Sequence, residues 1–162
     1  MGIVQFVLGL VATYFLVVVL YYVGSCIFRM IQFGKAGVQG TWKAWIPFYW
    51  NYIEFDLYYK KEYFWVWLAL VVLAGVFSKS DALTTIFNLA QAVLMVLLFY
   101  NKAKSYGKGG GFTAGLVLLN IIFEGILALG PAEYQGNASQ GIAFVDQGID
   151  KVKELFGGKK EE

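Results

Sequence analysis

Residues 3–28 read IVQFVLGLVATYFLVVVLYYVGSCIF and carry no charged side chain before Arg29. A hydrocarbon core of about 30 Å needs about 20 residues of helix to cross it. The run is therefore long enough to span a membrane with some tilt. It lacks the basic n-region and the small-residue cleavage site of a secretory signal peptide. We interpret it as a membrane-spanning helix.

The composition of the whole chain points the same way. Of its 162 residues, 59% are apolar and 15% are charged, whereas soluble domains average about 45–50% apolar and about 25% charged residues. The chain has no histidine and only one cysteine, Cys26. These counts exclude a Ser-His-Asp triad, a zinc site and a disulfide framework. We expect no catalytic residue, no metal and no cofactor.

Three more apolar runs follow, and the second and third are separated only by SKSD, which predicts a tight helical hairpin. The expected fold is an all-α integral membrane protein with four transmembrane helices, an interfacial aromatic helix and a C-terminal amphipathic helix. The alternative is a three-helix arrangement with residues 63–77 lying flat on the membrane. The expected spans are about 3–28, 63–77, 82–100 and 112–129 in a domain over residues 1–136, followed by a polar tail over 137–162.

Lysine and arginine placement sets the expected orientation, because basic residues flank the cytoplasmic ends of spans. The segments 29–62 and 101–111 hold eight of the basic residues: Arg29, Lys35, Lys43, Lys60, Lys61, Lys102, Lys104 and Lys108. The prediction is a prokaryotic cytoplasmic membrane, both basic loops inside, and the N-terminus and the tail outside.

The stretch TWKAWIPFYWNYIEF, residues 41–55, is unusually aromatic. Tryptophan and tyrosine favour the headgroup region, and a proline is well suited to the first turn of a helix. We predict an interfacial helix over about 47–60 that either anchors the protein or docks a lipid or protein partner. The candidate interfacial or docking residues are Trp42, Trp45, Pro47, Tyr49, Trp50, Trp65 and Trp67.

Three blocks carry a resemblance to a known family: GKAGVQGTWKAWIPFYWNY, NKAKSYGKGGGF and ILALGPAEYQG. They resemble an uncharacterised prokaryotic family of small four-span membrane proteins, members of which are sometimes fused to signal-peptidase-like domains. The resemblance covers roughly residues 30–136 and implies the four-span architecture, not an activity. The matching positions are Trp42, Ile46, Pro47, Tyr49, Ala103, Lys104, Gly107, Lys108, Tyr134 and Gly136.

Polar residues interrupt the last two expected spans. Asn88 and Gln91 lie midway along the third, and Asn120 and Glu124 share a face of the fourth. Amides at such depth commonly bond neighbouring helices, whereas an intramembrane carboxyl marks a functional site or a buried pair. Glu124 is therefore protonated and packed, paired with a polar group, or part of an ion path.

The tail predicts an amphipathic helix over 140–156, with apolar residues at spacings of three and four. Isolated helices of this length are marginal in water, so it must pack on its own domain, on the membrane or on a partner. The residues expected to make that contact are Ile142, Val145, Ile149, Val152 and Phe156.

These features favour a non-enzymatic accessory or scaffold subunit of a larger homo- or hetero-oligomeric membrane assembly. The expected partners are membrane lipids and other membrane subunits or further copies of the chain. The loops are too short and interrupted for nucleic-acid binding. Two alternatives remain open: a small channel or transport component that uses the intramembrane polar residues, and a factor associated with secretion or processing.

Overall fold

The computed structural model describes residues 2–137, 139 and 142–156, and the regular elements in this part of the chain are helical. A 3₁₀ turn over Thr41–Trp45 follows the first helix. The α-helices are α1 (Ile3–Lys35), α2 (Tyr49–Tyr58), α3 (Glu62–Val76), α4 (Asp81–Ser105), α5 (Gly110–Leu118), α6 (Asn120–Leu129) and α7 (Ala143–Phe156).

Two helices, α1 and α4, are long and apolar enough to cross a membrane. The second expected span, over 63–77, corresponds to α3, which has 15 residues, about 22 Å at 1.5 Å per residue, and is shorter than a bilayer core. It pairs with α4 through the predicted tight turn: the rings of Phe77 and Phe87 lie 6.0 Å apart. The Gln91 amide donates to the Leu70 carbonyl at 3.3 Å. The hairpin expected around SKSD is present.

The aromatic segment forms two short elements. The backbone turns at Gly40, whose φ is +75°, and enters the 3₁₀ turn. Helix α2 begins at Tyr49 rather than at Pro47, because Phe48 adopts a φ of +64°, outside the helical region. The expected helix over 47–60 is therefore shorter at both ends.

The expected single span over 112–129 is wrong. Helix α5 ends at Leu118, and Leu119 (φ −128°, ψ 50°) is not helical. The chain then reverses: the rings of Phe112 and Phe123 lie 4.9 Å apart, whereas eleven residues of straight helix would separate them by about 16 Å. Gly115 permits this return, since a Cβ there would overlap the Phe123 ring. The two half-length helices form an α5–α6 hairpin.

Both ends of the hairpin lie at the same end of the molecule. The Lys35 ammonium, at the end of α1, donates to the carbonyls of Leu127 (2.8 Å) and Gly130 (2.7 Å). The Gln135 N–H donates to the Ser105 carbonyl at the end of α4 (2.7 Å). Lysine near a helix C-terminus satisfies carbonyls that lack intrahelical partners, so Lys35 stabilises the end of α6.

The hairpin changes where the tail lies. Helix α7 packs at the start of α3: Lys60 contacts Asp146 at 2.8 Å, and Lys153 contacts Glu62 at 3.0 Å. The tail is therefore beside the basic loops, whereas the sequence predicted that it lies across the membrane from them. The physical reason is the return of α6, which brings the chain back to the end it left at Ser105. Residues 140 and 141 of the expected tail helix, and the end of the chain at 157–162, lie outside the described residues.

Candidate functional site

Four charged side chains from four different helices meet inside the molecule. The Lys102 ammonium lies 2.9 Å from Glu54 Oε1 and 2.7 Å from each carboxylate oxygen of Glu124. Arg29 Nε lies 3.3 Å from Glu54 Oε1. We call Arg29, Glu54, Lys102 and Glu124 the buried ion cluster. Its two cations and two carboxylates balance in charge.

The buried ion cluster is shielded from solvent. Lys102 is 0% exposed, and Glu54 and Glu124 are each 2% exposed. Arg29 closes one side, with its guanidinium carbon 4.8 Å from the centre of the Trp50 ring, at a distance typical of a cation–π contact. Because a buried charge costs free energy unless it is paired and hydrogen-bonded, these contacts make the burial tolerable.

A shell of polar groups completes the pairing. The Gln32 amide donates to Glu124 Oε2 at 2.6 Å and to the Glu124 backbone carbonyl at 3.1 Å. The hydroxyls of Tyr58 and Tyr106 lie 3.3 Å apart, and the Lys102 ammonium lies 5.2 Å from the centre of the Tyr58 ring. This shell fixes the orientation of the Glu124 carboxylate and covers the Lys102 ammonium.

Helical spacing explains how the sequence assembles this site. Arg29 and Gln32 are three residues apart on α1, and Glu54 and Tyr58 are four apart on α2, so each pair shares one helix face. The face of α2 that holds Glu54 and Tyr58 points into the protein, where both residues are buried. The return of the chain in the α5–α6 hairpin then brings Glu124 into contact with Lys102.

The charges set the protonation of the groups contributed by α2 and the loop after α4. Burial raises the pKa of the Glu54 carboxyl, but the nearby charges of Lys102 and Arg29 outweigh it and hold that pKa below its ordinary value. Burial, together with Tyr106 and Glu54, raises the pKa of Tyr58 well above its ordinary value. Burial also raises the pKa of Tyr106, against the opposing effects of Tyr58 and Lys102. Glu54 is therefore ionised at neutral pH, and both phenols keep their protons.

The structure brings only one of the four sequence-predicted intramembrane polar residues into the buried ion cluster, Glu124. Gln91 bonds the backbone of α3, as described above. Asn120 donates to the Leu116 carbonyl at 3.1 Å across the hairpin turn. Asn88 is exposed on α4. The three amides therefore do not converge on a common site.

The predicted aromatic docking residues divide into two groups. Trp50 packs under Arg29, and Trp67 packs against the core around Phe55 and Tyr63. The others lie at the surface, with Trp42 61% and Trp65 62% exposed. The remaining exposed members are Trp45, Pro47 and Tyr49.

The predicted contact face of the tail also divides. Val145 and Ile149 pack against the core, and the Ile142 backbone exchanges hydrogen bonds with the Tyr63 hydroxyl. Val152 and Phe156 are exposed instead, Phe156 by 87%. Within the described residues, the domain therefore covers Val145 and Ile149 of the predicted contact face and leaves Val152 and Phe156 exposed.

Sequence reasoning missed most of the buried ion cluster. From the sequence, Arg29 and Lys102 are interpreted as markers of membrane orientation, and Glu54 lies within the predicted interfacial helix over about 47–60. The spacing of Glu54 and Tyr58 was the available signal, but it does not reveal whether a polar face points toward water or inward. Gln32 and Tyr106 carried no distinguishing pattern.

The chemistry open to the site follows from its pairing. Lys102 is held between two carboxylates, and the Tyr58 and Tyr106 hydroxyls contact each other and Gln32. Among the described residues, no group of three or more Cys, Asp or Glu side chains is arranged to hold a metal ion. The arrangement links α1, α2, α4 and α6 through ion pairs and hydrogen bonds.

Comparisons with known proteins add a family. Residues 42–137 match a family model described as a family of unknown function, DUF5684. The match includes α2 to α6 and therefore three of the four charged residues of the buried ion cluster. No curated protein and no solved structure matches the chain. Because the matched region covers more than half of the sequence, the chain belongs to the family of unknown function DUF5684.

Proposed function

We propose that this protein is a non-enzymatic, membrane-embedded accessory or scaffold subunit of a larger membrane assembly. The observation that carries the proposal is the exposure of α1. From Ile3 to Tyr21, the side chains on every face of this helix are exposed. About 28 Å of apolar helix therefore extends with no covering from the rest of the described chain.

The length of the α5–α6 hairpin supports this proposal. Gly125 of α6 faces the Phe28 ring of α1, so the hairpin packs beside the last third of α1. Its helices of 9 and 10 residues reach about 15 Å, half of a hydrocarbon core of about 30 Å. In a bilayer, the space beside the first part of α1 would be filled by lipid or by a partner helix.

Association of helices in lipid depends on close packing and polar contacts rather than on the hydrophobic effect. Gly9 and Thr13 lie one turn apart on α1 and would let a partner backbone approach closely. The Thr13 hydroxyl is bonded to the Gly9 carbonyl at 2.8 Å, so it carries no unmet hydrogen-bond donor. We therefore assign α1 to partner binding, and the buried ion cluster to holding the remaining helices in register.

The orientation belongs to the same proposal. The N-terminus is outside a prokaryotic cytoplasmic membrane, and the basic loops are inside. Because α7 packs beside the basic residue Lys60, the proposal puts the tail inside with them. Lys79, in the turn between α3 and α4, then lies on the outer side. Segregation of the other basic loop residues to one face agrees with the positive-inside rule.

The test is the composition of the particle extracted in mild detergent or in native nanodiscs, measured by native mass spectrometry. We expect a mass above that of one chain. Exchanging residues 4–19 for an alternating leucine–alanine helix should reduce the particle to a single chain that still inserts. The matched control replaces the exposed α4 residues Ile86, Leu89 and Val93 by alanine and should leave the particle intact. A wild-type particle containing one chain and no other protein would refute the proposal.

A transport component is the second candidate, because a half-length hairpin brings the acidic Glu124 against Lys102. The closure of the buried ion cluster to solvent argues for the scaffold role. Ion flux through reconstituted protein that is abolished by Glu124→Gln, with assembly unchanged, would instead establish transport.

A further inference from the structure

A groove separates α3 from α7 at the end of the molecule that carries the basic loops. Its volume is 790 Å³, within the range of about 300–1,000 Å³ of small-molecule sites. The groove is open on one side, and the helices supply its two walls. Its apolar lining consists of Trp65, Val66 and Ala69 of α3 and Val145, Ile149 and Val152 of α7.

Charged residues occupy the rim of the groove. Glu62 lies at the start of α3, and Lys151 and Lys153 lie on α7. Lys153 contacts Glu62, which leaves the Lys151 charge to balance an anion at the rim. Lys151 is exposed. The site therefore combines an apolar floor with a net positive edge.

The direction of the groove matches the depth profile of a bilayer leaflet. From Glu62 to Ala69, α3 advances about 10 Å, which is the distance from a headgroup into the upper acyl region for an interfacial element. Trp65, 62% exposed, lies one turn inside the charged rim, where a tryptophan ring favours the headgroup boundary.

The outer half of α7 extends the same surface. Val152, Leu155 and Phe156 are 52%, 80% and 87% exposed. These apolar residues suit insertion among acyl chains. Helix α7 carries three acidic residues, Asp146, Asp150 and Glu154, beside its two lysines, so Lys151 at the groove rim, and not the charge of the whole helix, supplies the attraction for an anion. A ligand that fits both parts is apolar along most of its length and negatively charged at one end.

We propose that this groove binds one anionic phospholipid. Its acyl chain lies along Trp65, Ala69 and Ile149, and its phosphate contacts Lys151. Lipid bound there joins α7 to α3. This inference rests on the proposed membrane location, but it does not depend on the protein having a partner subunit.

The test counts lipids retained by the full-length chain, using native mass spectrometry of detergent-solubilised protein. The probes are phosphatidylglycerol and, at equal concentration, phosphatidylcholine. We expect one tightly retained phosphatidylglycerol and a preference over phosphatidylcholine. Lys151→Glu should reduce this preference about fivefold or more, since each lysine near an anionic surface contributes about that factor. Lys79→Glu changes an exposed lysine in the α3–α4 turn and should leave the preference unchanged.

A substitution that fills the groove provides a second test of the lipid site. Ala69→Trp fills the groove and should abolish retention of the tightly held lipid, whereas Leu89→Trp on the exposed face of α4 should not. Equal retention by all variants, equal retention of the two lipids, or protection of the groove by a second chain instead of lipid would overturn the proposal. Vesicle flotation of the wild-type protein reports membrane embedding separately, so a failure of lipid selectivity is distinguishable from a failure of the proposed function.

Discussion

Replacing Lys102 by methionine is the most informative perturbation of the buried ion cluster. Methionine keeps much of the apolar length of the side chain but removes the ammonium that contacts three carboxylate oxygens at 2.7–2.9 Å. The two carboxylates lie within about 6 Å of each other, since both are within hydrogen-bond distance of one nitrogen. The variant therefore leaves two neighbouring negative charges inside the protein.

The magnitude follows from what remains around each carboxylate. Removing one partner of a buried pair costs about 3–5 kcal/mol. Glu54 keeps Arg29 at 3.3 Å, while Glu124 keeps the Gln32 amide at 2.6 Å. We expect Lys102→Met to lower the free energy of unfolding by about 3–4 kcal/mol, the lower part of that range.

A second substitution tests whether charge is the cause. Lys102→Met combined with Glu124→Gln removes one charge of each sign, so Arg29 and Glu54 remain as a balanced pair. We expect the double variant to recover about 1–3 kcal/mol relative to Lys102→Met. The matched control is Lys104→Met, an exposed lysine whose ammonium lies 5.3 Å from the Tyr100 ring centre and whose loss should cost less than about 1 kcal/mol.

The assay is equilibrium unfolding in mixed micelles, followed by tryptophan fluorescence and by circular dichroism. A cost below about 1 kcal/mol for Lys102→Met, comparable with the Lys104→Met control, would refute the reasoning. So would a double variant less stable than the single one, because that outcome excludes unpaired charge as the origin of the loss.

Three further perturbations test other parts of the structure. Lys102 and Arg29 hold the pKa of Glu54 below its ordinary value against the effect of burial, so Glu54 contributes stability above the unfolded pKa of about 4.3, and this stability is lost as the pH falls through the folded pKa. The melting temperature, measured from pH 7 to pH 3, should therefore drop steeply at the acid end, and Glu54→Gln should flatten that part of the profile. Parallel profiles for the two proteins would contradict the assignment. Gly115→Leu should lower the free energy of unfolding by about 1–3 kcal/mol, because the new side chain would overlap the Phe123 ring. The control Gly111→Leu places its side chain in open space and should cost less than about 1 kcal/mol. Equal melting temperatures for the two variants would argue against a close hairpin. Lys35→Met removes the donor to the carbonyls at the end of α6 and should loosen that end of the helix. Amide hydrogen exchange should then be faster in residues 126–130. Unchanged exchange would contradict the capping role of Lys35.

The sequence predicted those parts of the fold that depend on local pattern. The uncharged run that forms most of α1 and the tight turn before Asp81 both correspond to observed structure. Helix α7 begins at Ala143, within the range predicted from apolar spacing. Its amphipathic pattern indicated a packed face, and Val145 and Ile149 provide it.

The α5–α6 hairpin could not be predicted in the same way. Residues 112–129 are apolar apart from Thr113, Asn120 and Glu124, and Leu119, where the helix breaks, is neither glycine nor proline. The hairpin arises from long-range contacts such as those of Phe112 with Phe123 and of Lys35 with the end of α6.

The buried ion cluster was missed because its members have ordinary sequence contexts. Arg29 and Lys102 lie at the ends of apolar runs, where basic residues commonly mark the membrane surface. Only the fold reveals that their charges are used internally. The cost of burying a carboxyl singles out Glu124 in the sequence, and pairing with a polar group was one of three alternatives for it. Its partner Lys102 is 22 residues away and was identifiable only after the hairpin was known.

The central claim is that the chain turns back after Leu118 and places Glu124 against Lys102, with the tail on the face of the basic loops. Single-cysteine accessibility in the Cys26→Ala protein, in sealed vesicles of known orientation, tests it most directly. Cysteines replacing Glu133 and Lys108 should react from one side of the membrane, and a cysteine replacing Ser80 should react from the other. If the position at 133 reacts together with position 80 and not with position 108, residues 110–129 cross the membrane once and the account is contradicted.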